Sequence, residues 1–347
     1  MKKVMCFFIM LTSMLTPDKS VNNTKYYARS YIVMDFNSGK VLEGKDTNLV
    51  RSVASISKIM TAIVAIENSK LDDYVEVNED ILKAYGSSIY LKIGEVVKME
   101  DLLYGLMLRS GNDAAVTIAR GVSGNISNFV ALMNEKAKKI GMNDSTFNNP
   151  SGLDVDDAGN LSTSYDMALL MKYALNNEIF RKITSTKEYR SNAHGTWVNK
   201  NRLLREYTNT SGGKTGFTTK ARRTLVTSAK KEDTELIIVT LDCGGDFALH
   251  KELYEKYFNK YKTFNLLNKG VNHISEYELT CDSNVSVLLE KDLIKDSEIL
   301  YEIRNEETEV LLINNGEKKS IGVCKSRKIE NYKKKKSWFK RIFTKNN

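Results

Sequence analysis

The sequence predicts a mixed α/β (α+β) fold. One sheet lies between helices, and a small β domain follows. β-rich runs stand near the start of the chain and again after residue 223, with helical patterns between them. From about Gly270 the helical periodicity disappears, and short apolar runs separated by turns replace it. The 347 residues, 41% of them hydrophobic, are enough to bury one large core and a smaller one.

The first predicted element is a β-hairpin. Residues 30–36 are rich in β-branched and aromatic side chains, residues 37–40 form a turn, and Val41-Leu42 resumes the β pattern. Residues 55–67 then carry an apolar stripe that is typical of a helix. Four more helices are predicted over residues 99–108, 113–121, 128–140 and 164–175.

The second half of the chain returns to strands. Residues 224–229 and 235–241 are strand-like, and residues 247–264 form a long amphipathic helix whose aromatic stripe indicates core packing. The apolar runs of the β domain lie at residues 285–289, 299–303, 308–313 and 321–324. We therefore predict a large domain over residues 23–268 and a small β domain over residues 269–330.

The net charge of +9 is concentrated at the two ends of the chain. Lys2 and Lys3 precede an apolar run over residues 4–15, which is typical of a signal peptide and short for a bilayer span. Without these two lysines and the seven bases of residues 331–347, the chain holds 43 basic and 43 acidic residues, which disfavours a nucleic-acid partner. We predict a signal peptide over residues 1–22, with a buried N-terminal strand or helix as the alternative.

Residues 331–347 have the composition of a membrane-surface helix. Seven bases surround one apolar helical face, which is made of Trp338, Phe339, Ile342 and Phe343. The segment is predicted to anchor the protein on an anionic membrane surface. A disordered basic tail that binds nucleic acid or nothing is the alternative.

The cysteines are few. If the signal peptide is removed, Cys243, Cys281 and Cys324 remain, and an odd number leaves at least one thiol unpaired within the chain. No catalytic role is predicted for any of them.

The segment Ser55-Ile56-Ser57-Lys58 places a serine and a lysine three residues apart at the start of a predicted helix, on one face. A serine hydroxyl becomes a good nucleophile when a base takes its proton. A lysine can be that base when burial or a second cation disfavours its charge. The same spacing recurs at Ser211/Lys214, Ser228/Lys231 and Ser337/Lys340. The apolar run directly after Lys58 favours the first pair.

Two further short motifs have the residue types of a peptide-binding site. Ser110-Gly111-Asn112 lies between predicted helices, where a hydroxyl and an amide can point into a cleft. The triplet recurs at Ser123-Gly124-Asn125, and the helix that starts directly after Asn112 favours the first copy. Lys214-Thr215-Gly216 offers a cation, a hydroxyl and a close backbone approach, which suit a carboxylate.

With these motifs the sequence resembles the D-alanyl-D-alanine carboxypeptidases, the low-molecular-mass penicillin-binding proteins, over about residues 28–330. The matching segments besides the three motifs are residues 31–35, 38–42, 59–62, 94–95, 101–107, 113–115, 149–153 and 217–218. The resemblance implies a serine β-lactamase or penicillin-binding-protein-like domain with a mainly antiparallel sheet flanked by helices. It implies no metal and no cofactor.

The resemblance also implies the site. Its catalytic residues would be Ser55, Lys58 and Ser110, and its substrate-binding residues Asn112, Lys214, Thr215, Gly216 and Phe217. Asn112 would hold the peptide backbone of the substrate, and the backbone N–H groups of Ser55 and Phe217 would form the oxyanion hole.

The implied reaction removes the terminal D-alanine from peptidoglycan stem peptides. Ser55 would attack the carbonyl between two D-alanines, Lys58 would accept its proton, and Ser110 would relay a proton towards the leaving amine. Lys214 and Thr215 would bind the terminal carboxylate, and water would hydrolyse the acyl-enzyme. β-Lactams would trap Ser55 as covalent inhibitors, and the enzyme would act at the outer face of the cytoplasmic membrane, on the cell-wall side.

Two departures from the family pattern and two alternative functions stay open. Ser151 stands where many relatives have histidine, and Ala221-Arg222-Arg223-Thr224 replaces a smaller, glycine-containing stretch after the lysine motif. Either arginine could add to carboxylate binding, although a surface position is favoured.

A β-lactamase is one alternative function, but no Glu-x-x-Leu-Asn lies between Asn112 and Lys214. A non-catalytic penicillin-binding sensor is the other.

Overall fold

The structure is a computed structural model that describes residues 9–10, 27–154, 159–191, 193–304 and 306–329. The predicted signal peptide over residues 1–22, apart from Ile9–Met10, and the predicted anchor over residues 331–347 lie outside the described residues. The described chain divides into two compact units, one of residues 27–262 and one of residues 263–329 with Ile9 and Met10. In this described part, no helix is both long and apolar enough to cross a membrane.

The strands, in chain order, are β1 (Ile9–Met10), β2 (Ala28–Asp35), β3 (Val41–Lys45), β4 (Arg51–Ser52), β5 (Tyr74–Glu76), β6 (Val96–Lys98), β7 (Leu161–Ser162), β8 (Glu188–Ser191), β9 (Gly195–Val198), β10 (Thr210–Thr218), β11 (Arg222–Lys231), β12 (Thr234–Cys243), β13 (Tyr261–Leu267), β14 (Gly270–Ile274), β15 (Tyr277–Cys281), β16 (Val285–Glu290), β17 (Ser297–Arg304), β18 (Glu307–Asn314) and β19 (Glu317–Lys328). The α-helices are α1 (Lys58–Asn68), α2 (Met99–Tyr104), α3 (Asn112–Ser123), α4 (Ile126–Ile140), α5 (Ser164–Leu175), α6 (Glu178–Ser185), α7 (Leu203–Glu206) and α8 (Asp246–Lys260). Shorter turns of helix lie at Ala54–Ser57, Glu79–Lys83, Gly105–Arg109 and Lys291–Asp296.

The large unit is built on a five-stranded sheet with the order β10-β11-β12-β2-β3, in which every neighbouring pair is antiparallel. Side chains alternate between its two faces, as the pleat of a strand requires. Val226 of β11 belongs to the helical core, whereas Thr227 lies 2.7 Å from His250 of α8 through its Oγ1 and the ring Nδ1. Helices therefore cover both faces, and the predicted fold class is confirmed.

Helix α1 lies at the centre of the helical layer. It packs against α3, α4, α5 and α6, and all its residues from Lys58 to Ala65 are buried. Its apolar stripe and the inner face of the sheet contribute to one large hydrophobic core. The side chain of Lys58, in the first turn of this helix, is therefore held by a closely packed core.

The small unit is an all-β structure apart from one short helical turn. Its main sheet has the order β1-β17-β18-β19-β15-β14, and a disulfide between Cys281 and Cys324 links β15 to β19. Cys243 of the large unit is buried and free. Burial raises the pKa of the Cys243 thiol to about 11, so this thiol stays protonated and unreactive at neutral pH.

Two sequence expectations about elements need correction. The helix predicted over residues 247–264 is wrong at its end, because α8 stops at Lys260 and β13 follows. Tyr, Thr and Phe in that segment favour a strand. Strand β10 was not predicted, so Lys214-Thr215-Gly216 lies within a strand and not only ahead of one.

Candidate active site

Ser55 lies in the 3₁₀ turn Ala54–Ser57, which runs directly into α1. The backbone of Ala54 enters this turn with a φ of 51°, a left-handed conformation that is uncommon for a residue with a side chain. Lys58 is the first residue of α1, and its side chain is fully buried. The Lys58 Nζ donates a hydrogen bond of 3.0 Å to the Ser55 Oγ. The turn thus places a buried amine against a hydroxyl that stays partly accessible.

The Lys58 amine is surrounded by neutral acceptors. It donates to the Asn112 Oδ1 at 2.6 Å and to the backbone carbonyl of Ser151, in addition to Ser55. Burial, together with a smaller effect from the positive charge of Lys200, lowers the pKa of Lys58 to about 7. A large fraction of this amine is therefore uncharged at neutral pH, which is the form that can accept a proton.

Ser110 stands on the opposite wall, between the π-helical turn Gly105–Arg109 and α3. Its φ of 64° is left-handed, a conformation that costs free energy and is often kept at functional sites. The Lys214 Nζ donates to the Ser110 Oγ at 3.0 Å and to the Thr215 carbonyl at 2.8 Å. Ser110 therefore contacts the second buried lysine rather than Lys58.

Asn112 connects the two walls through its side-chain amide. Its oxygen accepts from Lys58, and its Nδ2 donates to the Tyr85 carbonyl at 2.6 Å. The expectation that Asn112 holds the substrate backbone stays a prediction. In the free site the amide instead fixes the position of the lysine amine.

Lys214 is as deeply buried as Lys58. Burial holds the pKa of Lys214 well below its usual range, and the charges of Lys58 and Lys200 lower it further. Three amines thus share one region, so binding of an anion would favour protonation of Lys214. The electrostatics suit a ligand that carries a carboxylate.

Strand β10 is one of the two edge strands of its sheet and packs against the turn that carries Ser55. A Cβ added at Gly216 would lie 3.0 Å from the Ser55 backbone N and 2.4 Å from the Thr224 Oγ1. Only glycine therefore allows this approach of strand to turn. Phe217, the next residue, is 62% exposed at the rim.

These elements enclose a cleft of about 330 Å³. It is lined by Ser55, Ser87, Ser110, Lys200, Thr215, Gly216, Phe217, Arg223 and Phe247. Each of the three motifs therefore contributes at least one residue to the lining of the cleft. The side chains of Lys58, Asn112 and Lys214 are buried and are not part of this lining. None of its lining side chains is acidic. Among the described residues no cluster of three or more His, Cys, Asp or Glu side chains could hold a metal ion.

Residues 17–245 match the family model described as D-alanyl-D-alanine carboxypeptidase. The chain belongs to this family. D-alanyl-D-alanine carboxypeptidase DacF of Bacillus subtilis is 33% identical over 294 residues, which cover 79% of this chain and 75% of that protein. D-alanyl-D-alanine carboxypeptidase DacA of Escherichia coli is 32% identical over 313 residues, covering 83% and 77%. Penicillin-binding protein 5 from Haemophilus influenzae has a similar solved structure, with a TM-score of 0.75, 26% identity and coverage of 89% of this chain and 98% of that one.

The resemblance seen in the sequence is thereby confirmed, and this member of the carboxypeptidase family is a serine-type hydrolase. Its second Ser-Gly-Asn triplet has a structural role. Ser123 donates to the Ala119 carbonyl, and Asn125 caps α4 by accepting from the Asn128 N at 2.8 Å. Ser211 likewise donates to the Ser228 Oγ at 2.8 Å. The repeats at Ser123, Ser211 and Ser228 thus have ordinary structural explanations, whereas Ser337 and Lys340 lie outside the described residues.

Two cations line this carboxypeptidase's cleft; sequence reasoning missed the first and left the second as a less favoured candidate for carboxylate binding. Lys200 belongs to no motif, and its Nζ donates to the Ser87 Oγ at 3.0 Å. Arg223, for which a surface position was favoured, lines the cleft and forms a salt bridge of 2.8 Å with the buried Asp246. Arg222 is exposed, as expected. A single arginine or lysine carries no spacing signal, so only the fold could assign these two.

Proposed function

We propose that this carboxypeptidase removes the terminal D-alanine from peptidoglycan stem peptides through an acyl-enzyme on Ser55. The main support is the contact of 3.0 Å between the Ser55 Oγ and the Lys58 Nζ, which is fully buried. A nucleophile and a base within hydrogen-bond reach, with the base oriented by a third group, is the arrangement that serine acylation needs. Asn112 is that third group.

In the acylation step the neutral Lys58 amine accepts the Ser55 hydroxyl proton while the Oγ attacks the carbonyl carbon between the two D-alanines. The oxygen of that carbonyl gains a negative charge, which the backbone N–H groups of Ser55 and Phe217 stabilise. The C–N bond then breaks, and the leaving amine of D-alanine takes up a proton. Ser110, which accepts from the Lys214 Nζ, is the proposed relay for this proton.

Lys214, Thr215 and Gly216 form the proposed site for the terminal carboxylate. A charge-assisted contact from a buried ammonium is stronger than one in water, because little solvent screens it. The negative charge of a bound carboxylate favours uptake of a proton from solvent by Lys214, which adds a cation near Lys58. Water then hydrolyses the ester on Ser55. A β-lactam forms the same ester by opening of its ring amide, and its leaving nitrogen remains tethered.

We further propose that the enzyme is exported and works on the cell-wall side of the cytoplasmic membrane. The apolar run after Lys2-Lys3 supports a signal peptide over residues 1–22. The basic amphipathic pattern over residues 331–347 supports attachment to an anionic membrane surface.

The test is D-alanine release from a stem-peptide mimic that ends in D-alanyl-D-alanine. The wild-type full chain should release D-alanine, and Ser55→Ala should abolish both release and covalent labelling by a fluorescent penicillin. Ser211→Ala is a matched control, since Ser211 also stands three residues before a lysine, and it should keep both activities. Labelling of the wild type without D-alanine release would favour a sensor. Rapid hydrolysis of penicillin instead of a long-lived adduct would favour a β-lactamase.

A further inference from the structure

The Asp154 carboxylate joins two elements that flank Ser55. Its Oδ1 accepts a hydrogen bond of 2.7 Å from the Ser52 Oγ, and its Oδ2 accepts one of 2.5 Å from the Thr218 Oγ1. Ser52 lies three residues before Ser55, at the end of β4, and Thr218 directly follows Phe217 at the end of β10. One side chain therefore bonds the lead-in to the nucleophile and the end of the edge strand.

The surroundings of Asp154 fit this bridging position. A Cβ added at Gly159 would lie 1.9 Å from the Asp154 Oδ1, so glycine leaves the room that the carboxylate occupies. The Thr218 Oγ1 also accepts from the Ala221 N at 3.0 Å, which ties the turn after β10 to the same group. The backbone carbonyl of Asp154 accepts from the Tyr85 hydroxyl at 3.3 Å.

The loop that ends at Asp154 also contacts the base and the turn. The Ser151 carbonyl accepts from the Lys58 Nζ. Gly152 has a φ of 79° and packs so closely on the turn that a Cβ there would lie 2.2 Å from the Ala54 carbonyl oxygen. Residues 149–154 thus contact Lys58, the Ser55 turn and, through Asp154, the Phe217 end of β10.

The geometry of an oxyanion hole depends on how these two elements are spaced. Its proposed donors are the backbone N–H groups of Ser55 and Phe217, which belong to a 3₁₀ turn and to the last residues of an edge strand. An edge strand has a sheet neighbour on one side only, so its end is held less firmly than a central strand. Donors of this kind work only when they are held at hydrogen-bond distance from the developing oxyanion.

We propose that Asp154 is a positioning residue, which sets the spacing of the Ser55 and Phe217 N–H groups by bonding Ser52 and Thr218 at once. The proposal rests on the proposed function of Ser55. Loss of either hydrogen bond releases one side of the bridge, and the oxyanion donors then move apart. The hydrogen bonds described for Asp154 do not include Lys214 or Thr215, so we expect the chemical step to suffer more than carboxylate binding.

The test measures acylation of the full chain by a fluorescent penicillin in rapid mixing, which separates the acylation rate constant from the dissociation constant of the preceding complex. Asp154→Ala, Ser52→Ala and Thr218→Val should each lower the rate constant about tenfold to a hundredfold, somewhat less than loss of a whole oxyanion donor. The dissociation constant should stay within about twofold. Thr218→Ser keeps the hydroxyl and should keep the wild-type rate constant.

If both hydrogen bonds act through the one carboxylate of Asp154, the losses in acylation rate constant caused by the Ser52 and Thr218 substitutions should not add. The double variant Ser52→Ala/Thr218→Val should resemble each single variant and Asp154→Ala. Fully additive effects, a wild-type rate constant in Asp154→Ala, or a dissociation constant that rises as much as the rate constant falls would each overturn the proposal. If Asp154→Ala does not fold, the comparison of Thr218→Val with Thr218→Ser still decides. A wild type that forms no adduct on Ser55 would instead refute the proposed function.

Discussion

Lys58 and Lys214 are buried amines whose described hydrogen-bond partners are hydroxyl, amide and carbonyl oxygens, without a carboxylate. Burying an ammonium without a counter-ion costs several kcal/mol, so each amine is biased towards its neutral form. For Lys58 this bias produces the base that serine acylation requires. For Lys214 it produces a site that gains most when a carboxylate binds. One physical cause therefore serves two different chemical roles.

The pH dependence of acylation should report the pKa of Lys58. That pKa is lowered to about 7, and the amine must be neutral to accept the Ser55 proton, so the rate constant should rise with pH. We expect the second-order rate constant of acylation, which reports the free enzyme, to show an ascending limb centred near pH 7 and a plateau above it, measured with a fluorescent penicillin between pH 5 and pH 9.

Arginine substitutions supply the control for this profile. Lys58→Arg should be nearly inactive, since a guanidinium cannot act as a base. Lys70→Arg, at an exposed lysine just after α1, should leave the profile unchanged. An acylation rate that does not vary between pH 5 and pH 9, or retained acylation in Lys58→Arg, would contradict the assignment.

At the scale of elements, the site depends on the contact of strand β10 with the turn Ala54–Ser57. Helix α1 is held by four other helices, so the turn at its start has little freedom to move. The edge strand β10 must therefore adapt to the turn, and Gly216 marks the point of closest approach. The contact also explains why a glycine follows the cation and hydroxyl of the carboxylate site.

Gly216→Ala should push β10 away from Ser55. The added Cβ would meet the Thr224 Oγ1 at 2.4 Å and the Ser55 N at 3.0 Å, and a misplacement of even 1 Å can cost about a hundredfold in rate. We expect at least about a tenfold loss in the acylation rate constant. Gly244→Ala is the matched control, because a Cβ there has no atom within 4 Å and its activity should be unchanged. If Gly216→Ala is acylated with the rate constant of the wild type, the spacing of β10 and the Ser55 turn does not control acylation.

At the scale of the whole molecule, two units have separate hydrophobic cores. The residues proposed for the reaction all lie in the large unit, whereas the disulfide lies in the small one. A small β structure gains a larger share of its stability from a cross-link than a large core does.

Removal of the disulfide should therefore separate stability from activity. The double variant Cys281→Ser/Cys324→Ser should lower the free energy of unfolding of the small unit by about 2–4 kcal/mol, a typical value for a disulfide. Acylation of Ser55 should stay at the wild-type rate. Denaturant unfolding and penicillin labelling of the same samples test both expectations, and a parallel loss of labelling would contradict the second.

The family, the alternation of helices and strands in the large unit, and the segments that carry the motifs could all be predicted from the amino-acid sequence alone. These features depend on local patterns, such as the β-rich run before Asp35 and the apolar stripe after Lys58. A local pattern does not predict the end of α8, where the residues after Lys260 could continue the helix or form a strand. Pairing with β16 stabilises the strand β13 there.

Which copies of the repeated motifs lie together in the site depends on the fold. Ser110 and Ser123 are both followed by Gly-Asn, but Ser110 alone of the two contacts Lys214, which lies 104 residues later. The fold also brought Lys200, Arg223 and Asp154 to the site, although none of them belongs to a motif. The physical reason is that burial and long-range contact, which set the pKa of Lys58 and the spacing around Ser55, are properties of the packed chain and not of any one segment.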